Sequence, residues 1–342
     1  MGQLIQLQDE NKDFDFYLSK LKDLCGNDLE SINSIILEKI DSKIPLIQEI
    51  ASHLILSGGK RLRPLLTSCC FNMCKKKQNK DKSYLGLAAA VEFIHAATLL
   101  HDDVVDESKK RRGSPTANEL WGNKTSVLVG DFLFSRAFQL MSKNGNSEIL
   151  KVLANTSVII SEGEILEISN DKDPTINENI YFDIINGKTA SLFSAACKIG
   201  AMSAKNSNEK IEALKSYGAN FGMSFQLIDD AIDYSSSSNS LGKNIGDDFK
   251  QGKVTLPIIL AYLRSNYNEK EFWKKTIENL HQDNDDFSKA IEIINKYDCI
   301  KDTTERANHF ANIAKDSLGA FSESIYKETL INLVNSSLKR IN

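Results

Sequence analysis

Apolar residues recur along this chain at three- and four-residue intervals from about residue 13 onward, and no stretch alternates residue by residue as a half-buried strand would. The spacing predicts helices near 13–25, 28–40, 43–57, 63–77 and 83–109. Others are predicted near 124–143, 147–170, 176–203, 208–236, 253–266, 270–280, 285–297, 300–318 and 321–340. The breaks carry turn chemistry. Ser57-Gly58-Gly59 is a helix stop, and 109–117, with Gly113 and Pro115, reads as a loop. The Ser/Asn/Gly-rich run from Ser235 to Gly246 reads as another. Thr175-Ile176-Asn177-Glu178, just after Pro174, has capping-box form. No repeat of solenoid period is present. The simplest architecture is one all-α domain over 1–342, a single large helical bundle, with 1–12 as a flexible N-terminus.

One predicted helix stands out. From Leu85 to Leu100 it is apolar nearly all round, as a helix in the middle of a protein is. It then ends in His101-Asp102-Asp103-Val104-Val105-Asp106. Acids are disfavoured at the negative end of a helix dipole. Asp102 and Asp106, four apart, share a face and repel. The same D-D-x-x-D form returns at Asp229-Asp230-Ala231-Ile232-Asp233. Desolvation in apolar surroundings sharpens the repulsion, so each cluster is expected to hold a cation. Oxygen-only ligands suit Mg²⁺, which completes its shell with water and substrate phosphate.

Composition narrows the class without changing this picture. The 342 residues are 41% hydrophobic and 26% charged, which suits a soluble globular protein with a sizeable core. A formal net charge of -4 gives no global electrostatic case for nucleic acid. The six cysteines form no C-x-x-C pair and read as buried thiols of a reducing compartment, so a cytoplasmic location is expected. Met1 to Lys12 is polar and has no secretory h-region, and no apolar run approaches transmembrane length.

Basic groups accompany the acids. Lys109-Lys110-Arg111-Arg112 follows the first motif, and Gly58-Gly59-Lys60-Arg61-Leu62-Arg63 opens a helix. Gly187-Lys188-Thr189, Gly242-Lys243 and Gly252-Lys253 add more. A charge run is usually a solvated face, but arginine forks fit phosphate oxygens. Two acidic clusters with several basic groups suggest two polyanionic substrates, with metal needed for one.

These residues resemble the trans-prenyl diphosphate synthase family, most closely its long-chain, octaprenyl-diphosphate-synthase-like branch. The matching stretches are GGKRLRPLL (58–66), EFIHAATLLHDDVVDESKKRRGSPTAN (92–118), GDFLFSRAFQLM (130–141), GKTASLF (187–193), FQLIDDAIDY (225–234) and LGKNIGDDFKQGKVTLPIIL (241–260). The likeness covers about residues 15–340, and the combination in order and spacing is far more specific than any one motif. It implies an isoprenoid-synthase bundle around a deep central cavity. It also implies a prenyltransferase that condenses an allylic diphosphate, such as farnesyl diphosphate, with successive isopentenyl diphosphates. Asp102 and Asp106 resemble the metal ligands of the first motif, and Asp229 with Asp233 those of the second, together holding two or three Mg²⁺ on the allylic diphosphate. Asp103 and Asp230 complete the motifs. Arg111 resembles a residue on that diphosphate. Lys60, Arg63, His95 and Arg112 resemble the isopentenyl diphosphate site. Lys188, Thr189 and Gln226 resemble residues lining the reacting end, and Lys243 and Lys253 further diphosphate contacts. The resemblance also implies a homodimer, and a product this apolar is expected to leave through transient membrane contact. The two motifs are expected to be facing halves of one mouth. One departure is Glu167, where relatives often carry Gln; it reads as a solvent-facing change.

Product length turns on what lies behind the first motif. Thr98 is four residues before Asp102, on the same face and about 6 Å deeper. In short-chain relatives this neighbourhood carries a bulky aromatic; here Ala97 and Thr98 are small. Phe132, Phe138 and Met141 are candidates for a deeper floor, with ordinary core packing the competing explanation. The expected product is then about C40, within roughly C35–C50, in a deep apolar pocket, and is expected to serve a quinone side chain such as that of ubiquinone. Shorter-chain synthesis is the runner-up, and a catalytically silent subunit of a heteromer the non-enzyme reading. A silent subunit should have lost aspartates or arginines, and this chain keeps them. A terpene cyclase would usually replace the second motif, and a Ca²⁺ module would want an acid-rich loop. Glu92-x-x-His95 has di-iron spacing but lacks the second such motif.

Overall fold

The computed structural model describes residues 13–235 and 246–341. The expectations for 1–12, for most of the 235–246 loop and for Lys243 lie outside those residues. The described chain is built almost wholly of helices, as the 3.6-residue period predicts. It divides into two compact units, each discontinuous in sequence.

One unit takes residues 24–162 and 190–219. Its centre is the Ser83–Val105 helix, on which Leu87, Ala88, Ala89, Ala90, Val91, Phe93, Ile94 and Ala97 are fully buried. That helix has the length and hydropathy of a membrane span, but 78% of its apolar window is buried inside the protein, as in a core helix. It packs against Asn123–Asn144, where a Cβ on Gly130 would come within 2.3 Å of His101 Nε2, so a side chain there would have to displace the imidazole. Leu62–Cys74 and Ser191–Ser203 bury most of their residues in the same core. The other unit takes residues up to 23, then 163–189 and 220 onward. It holds the C-terminal half of Asn208–Asp233 and the helices from Asp247–Gln251 to Ile325–Leu338.

The predicted helices all exist, and the differences are local. The 83–109 helix stops at Val105, capped by Asp106. The 109–117 loop is a two-strand hairpin, Lys110–Arg111 against Ser114–Pro115. Strands of two residues are too short to leave an alternation in the sequence. Short helices at Ala117–Trp121 and Asp247–Gln251 stand in the gaps between the predicted loops and the helices predicted after them. The 176–203 helix is Glu178–Ile185, a π turn at Asn186–Ala190, then Ser191–Ser203. Its N-cap is Asn177, whose side chain accepts from Ile180 N–H at 3.0 Å. The expected Thr175 capping box does not form, because Asp173 Oδ1 takes both the Thr175 amide (2.8 Å) and its hydroxyl (2.6 Å). A full capping box does form at Asn266 and Glu269. All six cysteines are free and buried.

Candidate active site

In the first unit the acids and bases of the sequence come together around the end of the central helix. Asp102 and Asp103 are in its last turn, and the Asp106 amide donates to the Asp102 carbonyl at 2.8 Å. Asp102 and Asp106 are half-buried. Asp103 is turned inward, and its Oδ1 accepts from Arg111 Nε at 2.9 Å and from Nη2 at 2.8 Å. Asp103 therefore orients an arginine. The hairpin is what allows this. Arg112 (φ 52°) and Gly113 (φ 80°) are its two turn residues, both left-handed, as a tight type I′ connection requires. Arg111 is thereby returned onto Asp103.

Gly58 (φ 90°) ends the preceding helix and leads into the basic group at 60–63. An ideal Cβ on Gly59 would lie 3.3 Å from both Arg112 Nη1 and Arg61 Nη1, so this glycine admits two guanidinium groups beside the backbone. Arg63 lies over the Phe193 ring at 4.2 Å, and its buried Nε has no partner. Burial pulls Arg63 down to about 10, with Glu92 opposing and Arg112 adding to the effect. It remains charged at neutral pH. Half-buried Lys60 precedes them. His95 is held well below the ordinary imidazole range, first by burial and then by Arg63, Arg112, Arg111 and Arg61. It is neutral where these arginines are charged. Glu92 is buried and accepts from Arg61 Nη1 at 2.5 Å, so its partner is an arginine. The sequence singled out neither Arg61 nor Glu92 for this role. A buried acid one helical turn before His95 was the available signal.

Behind the motif the small residues separate. Ala97 is fully buried, whereas Thr98 is half-buried and donates its hydroxyl to the His95 carbonyl at 2.8 Å. The three floor candidates do not share an environment. Met141 is buried, Phe132 is half-buried beneath the Arg136 guanidinium (4.8 Å), and Phe138 is 43% exposed. Phe138 packs edge-on against Phe134 and closes no space inside this unit. Phe138 and Met141, three apart, lie on neighbouring rows of the helix, but Phe132, nine residues before Met141, lies about half a turn round it, which is why one stripe could not hold all three.

In the second unit the D-D-x-x-D cluster is the start of a buried polar chain. Thr189 Oγ1 donates to Gln226 Oε1 (2.9 Å), and Gln226 Nε2 donates to Asp230 Oδ1 (2.7 Å). Tyr181 OH donates to Asp230 Oδ2 (2.5 Å). Asp230 is buried and is raised to about 7, first by burial and then by the charge of Asp248, against the two hydrogen bonds it accepts. Asp230 thus fixes Gln226. Asp233 Oδ2 accepts the Asp248 amide at 3.0 Å. Asp229 Oδ1 is ion-paired to Arg340 Nη2 at 2.6 Å, and that guanidinium also lies over Phe225 at 4.6 Å. Tyr181 and Arg340 carried no motif and were not anticipated. Lys253 is half-buried, and its amide donates to the Asp248 carbonyl at 2.9 Å.

Lys188 stands on the π turn, the kind of local helix defect that recurs at functional sites. A Cβ on Gly163 would come within 2.9 Å of Gly187 Cα and Lys188 N, so the two segments meet backbone to backbone. Lys188 Nζ lies 2.8 Å from Glu164 Oε2 and is also bonded to Glu167. Glu167 is therefore directed onto this lysine. The solvent-facing expectation is corrected, because residues 164 and 167, three apart, share the face that Gly163 presses toward 187–188.

The donor set fits a hard divalent ion. Each motif supplies only carboxylate oxygens at i and i+4. Among the described residues no three His, Cys, Asp or Glu side chains converge to cage an ion by themselves. That is the pattern of Mg²⁺ sites that use one or two carboxylates and leave the rest of the shell to water and substrate phosphate.

Comparison with known proteins agrees. The polyprenyl synthetase family model matches residues 44–294. The octaprenyl diphosphate synthase of Escherichia coli (strain K12) is 38% identical over 325 residues, covering 94% of this chain and 99% of that protein. An all-trans-nonaprenyl-diphosphate synthase (geranyl-diphosphate specific) of Rhodobacter capsulatus is 38% identical over 316 residues, covering 92% of this chain and 96% of that protein. A crystal structure of a polyprenyl synthase from Caulobacter crescentus, complexed with calcium and isoprenyl diphosphate, superposes with a TM-score of 0.90 at 43% identity. It covers 95% of this chain and 98% of the other. The family model extends over most of the chain, and the relatives match nearly end to end: this chain belongs to the polyprenyl synthetase family.

Proposed function

We propose that the protein is a Mg²⁺-dependent, long-chain all-trans polyprenyl diphosphate synthase that extends an allylic diphosphate with successive isopentenyl diphosphates. The observation that carries this reading is the arginine cluster at Gly59, where Arg61 and Arg112 both come within 3.3 Å of the Cβ position and Arg63 lies over Phe193, in a chain that also carries two D-D-x-x-D motifs. One cluster of arginines suits a diphosphate bound without metal, and paired carboxylates suit a diphosphate bound through it. Both motifs then serve one allylic diphosphate, and both compact units belong to one synthase domain. The family model, which runs across both units, supports that reading.

The chemistry follows from charge. Bound Mg²⁺ would be held by Asp102, Asp106, Asp229 and Asp233 and would supply charge neutralisation to the leaving diphosphate. Arg111, Lys188, Lys253 and Lys243 add cationic donors. The allylic C–O bond breaks, the allylic carbon bonds to the terminal alkene carbon of isopentenyl diphosphate, the other alkene carbon becomes a tertiary cation, and the CH2 next to that cation loses a proton to the released pyrophosphate, which re-forms a double bond. Lys60, Arg63, Arg112 and neutral His95 hold the isopentenyl diphosphate. Asp230 takes the Gln226 amide N–H, which turns Oε1 the other way, toward Thr189 and the developing cation. Catalysis is positioning and electrostatic stabilisation, with no side-chain nucleophile.

The product is about C40, within roughly C35–C50, for a deep apolar pocket, and serves a quinone side chain. The enzyme works in the cytoplasm as a homodimer. Exposed Val127, Leu128, Phe138, Val158 and Ile159 of the first unit support a second copy of the chain as their cover. The test is incubation with farnesyl and isopentenyl diphosphates and Mg²⁺, with chain-length analysis of the product. Absence of condensation, or a product ending at C15–C20, would overturn the long-chain reading.

A further inference from the structure

The Lys188 ammonium, at the reacting end, is held by two carboxylates, Glu164 and Glu167. The three side chains are all mostly buried, with 19%, 22% and 33% of their surface exposed. The arrangement is fixed by backbone. Glu164 and Glu167 lie three apart on one helix face, and Gly163 packs that helix directly against Gly187 and the Lys188 amide. The π turn then directs Lys188 at that face. One ammonium and two carboxylates leave a net charge of -1 where the proposed function needs a lysine to meet a diphosphate. Either carboxylate alone would suffice to orient the lysine; the second adds charge that opposes an anion.

We propose that Glu167 is a positioning residue that restrains Lys188, so that an incoming diphosphate must take the ammonium away from a carboxylate pair. The inference rests on the proposed function only in that Lys188 meets a diphosphate. Glu167 contributes negative potential and competes for the Lys188 N–H donors, and both effects weaken anion binding. Removing its charge leaves Glu164 to orient the lysine. Partly exposed ion pairs are worth little individually, so the effect on affinity is modest and electrostatic.

Calorimetric titration with inorganic pyrophosphate, with and without Mg²⁺, tests this without requiring turnover. Glu167→Gln should bind pyrophosphate about two- to fivefold tighter than the wild type, the range expected of a partly exposed ion pair. The gain should shrink as salt rises from about 0.05 M to about 0.5 M, because the competition is screened. Glu167→Asp keeps the charge and should bind like the wild type. In a Lys188→Met background the gain from Glu167→Gln should shrink, because only the through-space charge of Glu167 is left to remove. Equal or weaker binding by folded Glu167→Gln, or an undiminished gain without Lys188, would overturn the inference. A chain that shows the gain but never condenses isopentenyl diphosphate would sink the proposed function and leave this restraint standing. A chain that condenses without the gain would do the reverse.

Discussion

At the scale of single residues, the structure separates groups that look alike in sequence. The four outer aspartates, Asp102, Asp106, Asp229 and Asp233, are the proposed metal ligands, while Asp103 orients Arg111 and Asp230 orients Gln226. Asp102→Ala should lower turnover by about 10²- to 10⁴-fold, since it removes one oxygen ligand from a charge-stabilising centre. Single-turnover kinetics on a variant with unchanged circular dichroism measures this, and wild-type-like rates would remove the metal assignment. His95 gives a pH prediction. Its folded pKa lies below its unfolded value, so the unfolded chain binds a proton that the folded chain refuses. The associated stability is present above the ordinary imidazole pKa of about 6.5 and is lost as pH falls below it. The melting temperature of the wild type should therefore fall more steeply below about pH 6.5 than that of His95→Asn. Parallel acid limbs for the two proteins would show that His95 titrates normally.

At the scale of elements, helix periodicity was legible because nearly every helix has a buried face, and the 83–105 helix most of all. What was not legible were elements held by tertiary contact. The hairpin depends on Arg112 accepting a left-handed backbone and on Arg111 finding Asp103. The π turn at 186–190 leaves no mark on a 3.6-residue pattern. Within the central helix, Ala97 and Thr98 both looked small and open, but only Thr98 keeps exposure. Thr98→Phe should therefore shorten the product. Ala97→Phe should instead overpack the core and cost about 1–3 kcal/mol of stability. Product chain length and melting temperature of the two variants decide between them. Unchanged product with Thr98→Phe would place the length determinant elsewhere.

At the scale of the whole molecule, the chain resolves into two compact units interleaved in sequence, and two long helices, Ser147–Ser169 and Asn208–Asp233, run from one into the other. A single apolar rhythm from end to end gives no hint of that division. The exposed apolar residues are also a whole-molecule feature, with Leu128 at 67% exposure the most open of those on Asn123–Asn144. Light scattering should return twice the 38.2 kDa of one chain, and Leu128→Asp should shift that toward the monomer. A monomeric wild type would remove the homodimer.

By itself the sequence determined the all-helical class, the buried helix that ends in acids, and the candidates whose side-chain chemistry suits metal and phosphate. Those follow from periodicity, helix spacing and side-chain chemistry, which are local. Tertiary structure decided which of those residues share a partner. Asp103 could be told from Asp102 only once Arg111 had been folded back onto it. Glu167 could be placed on Lys188 only once Gly163 had met Gly187. One depends on a hairpin that turns the chain back over eight residues and the other on a backbone approach between two helices, and a one-dimensional pattern carries no measure of either.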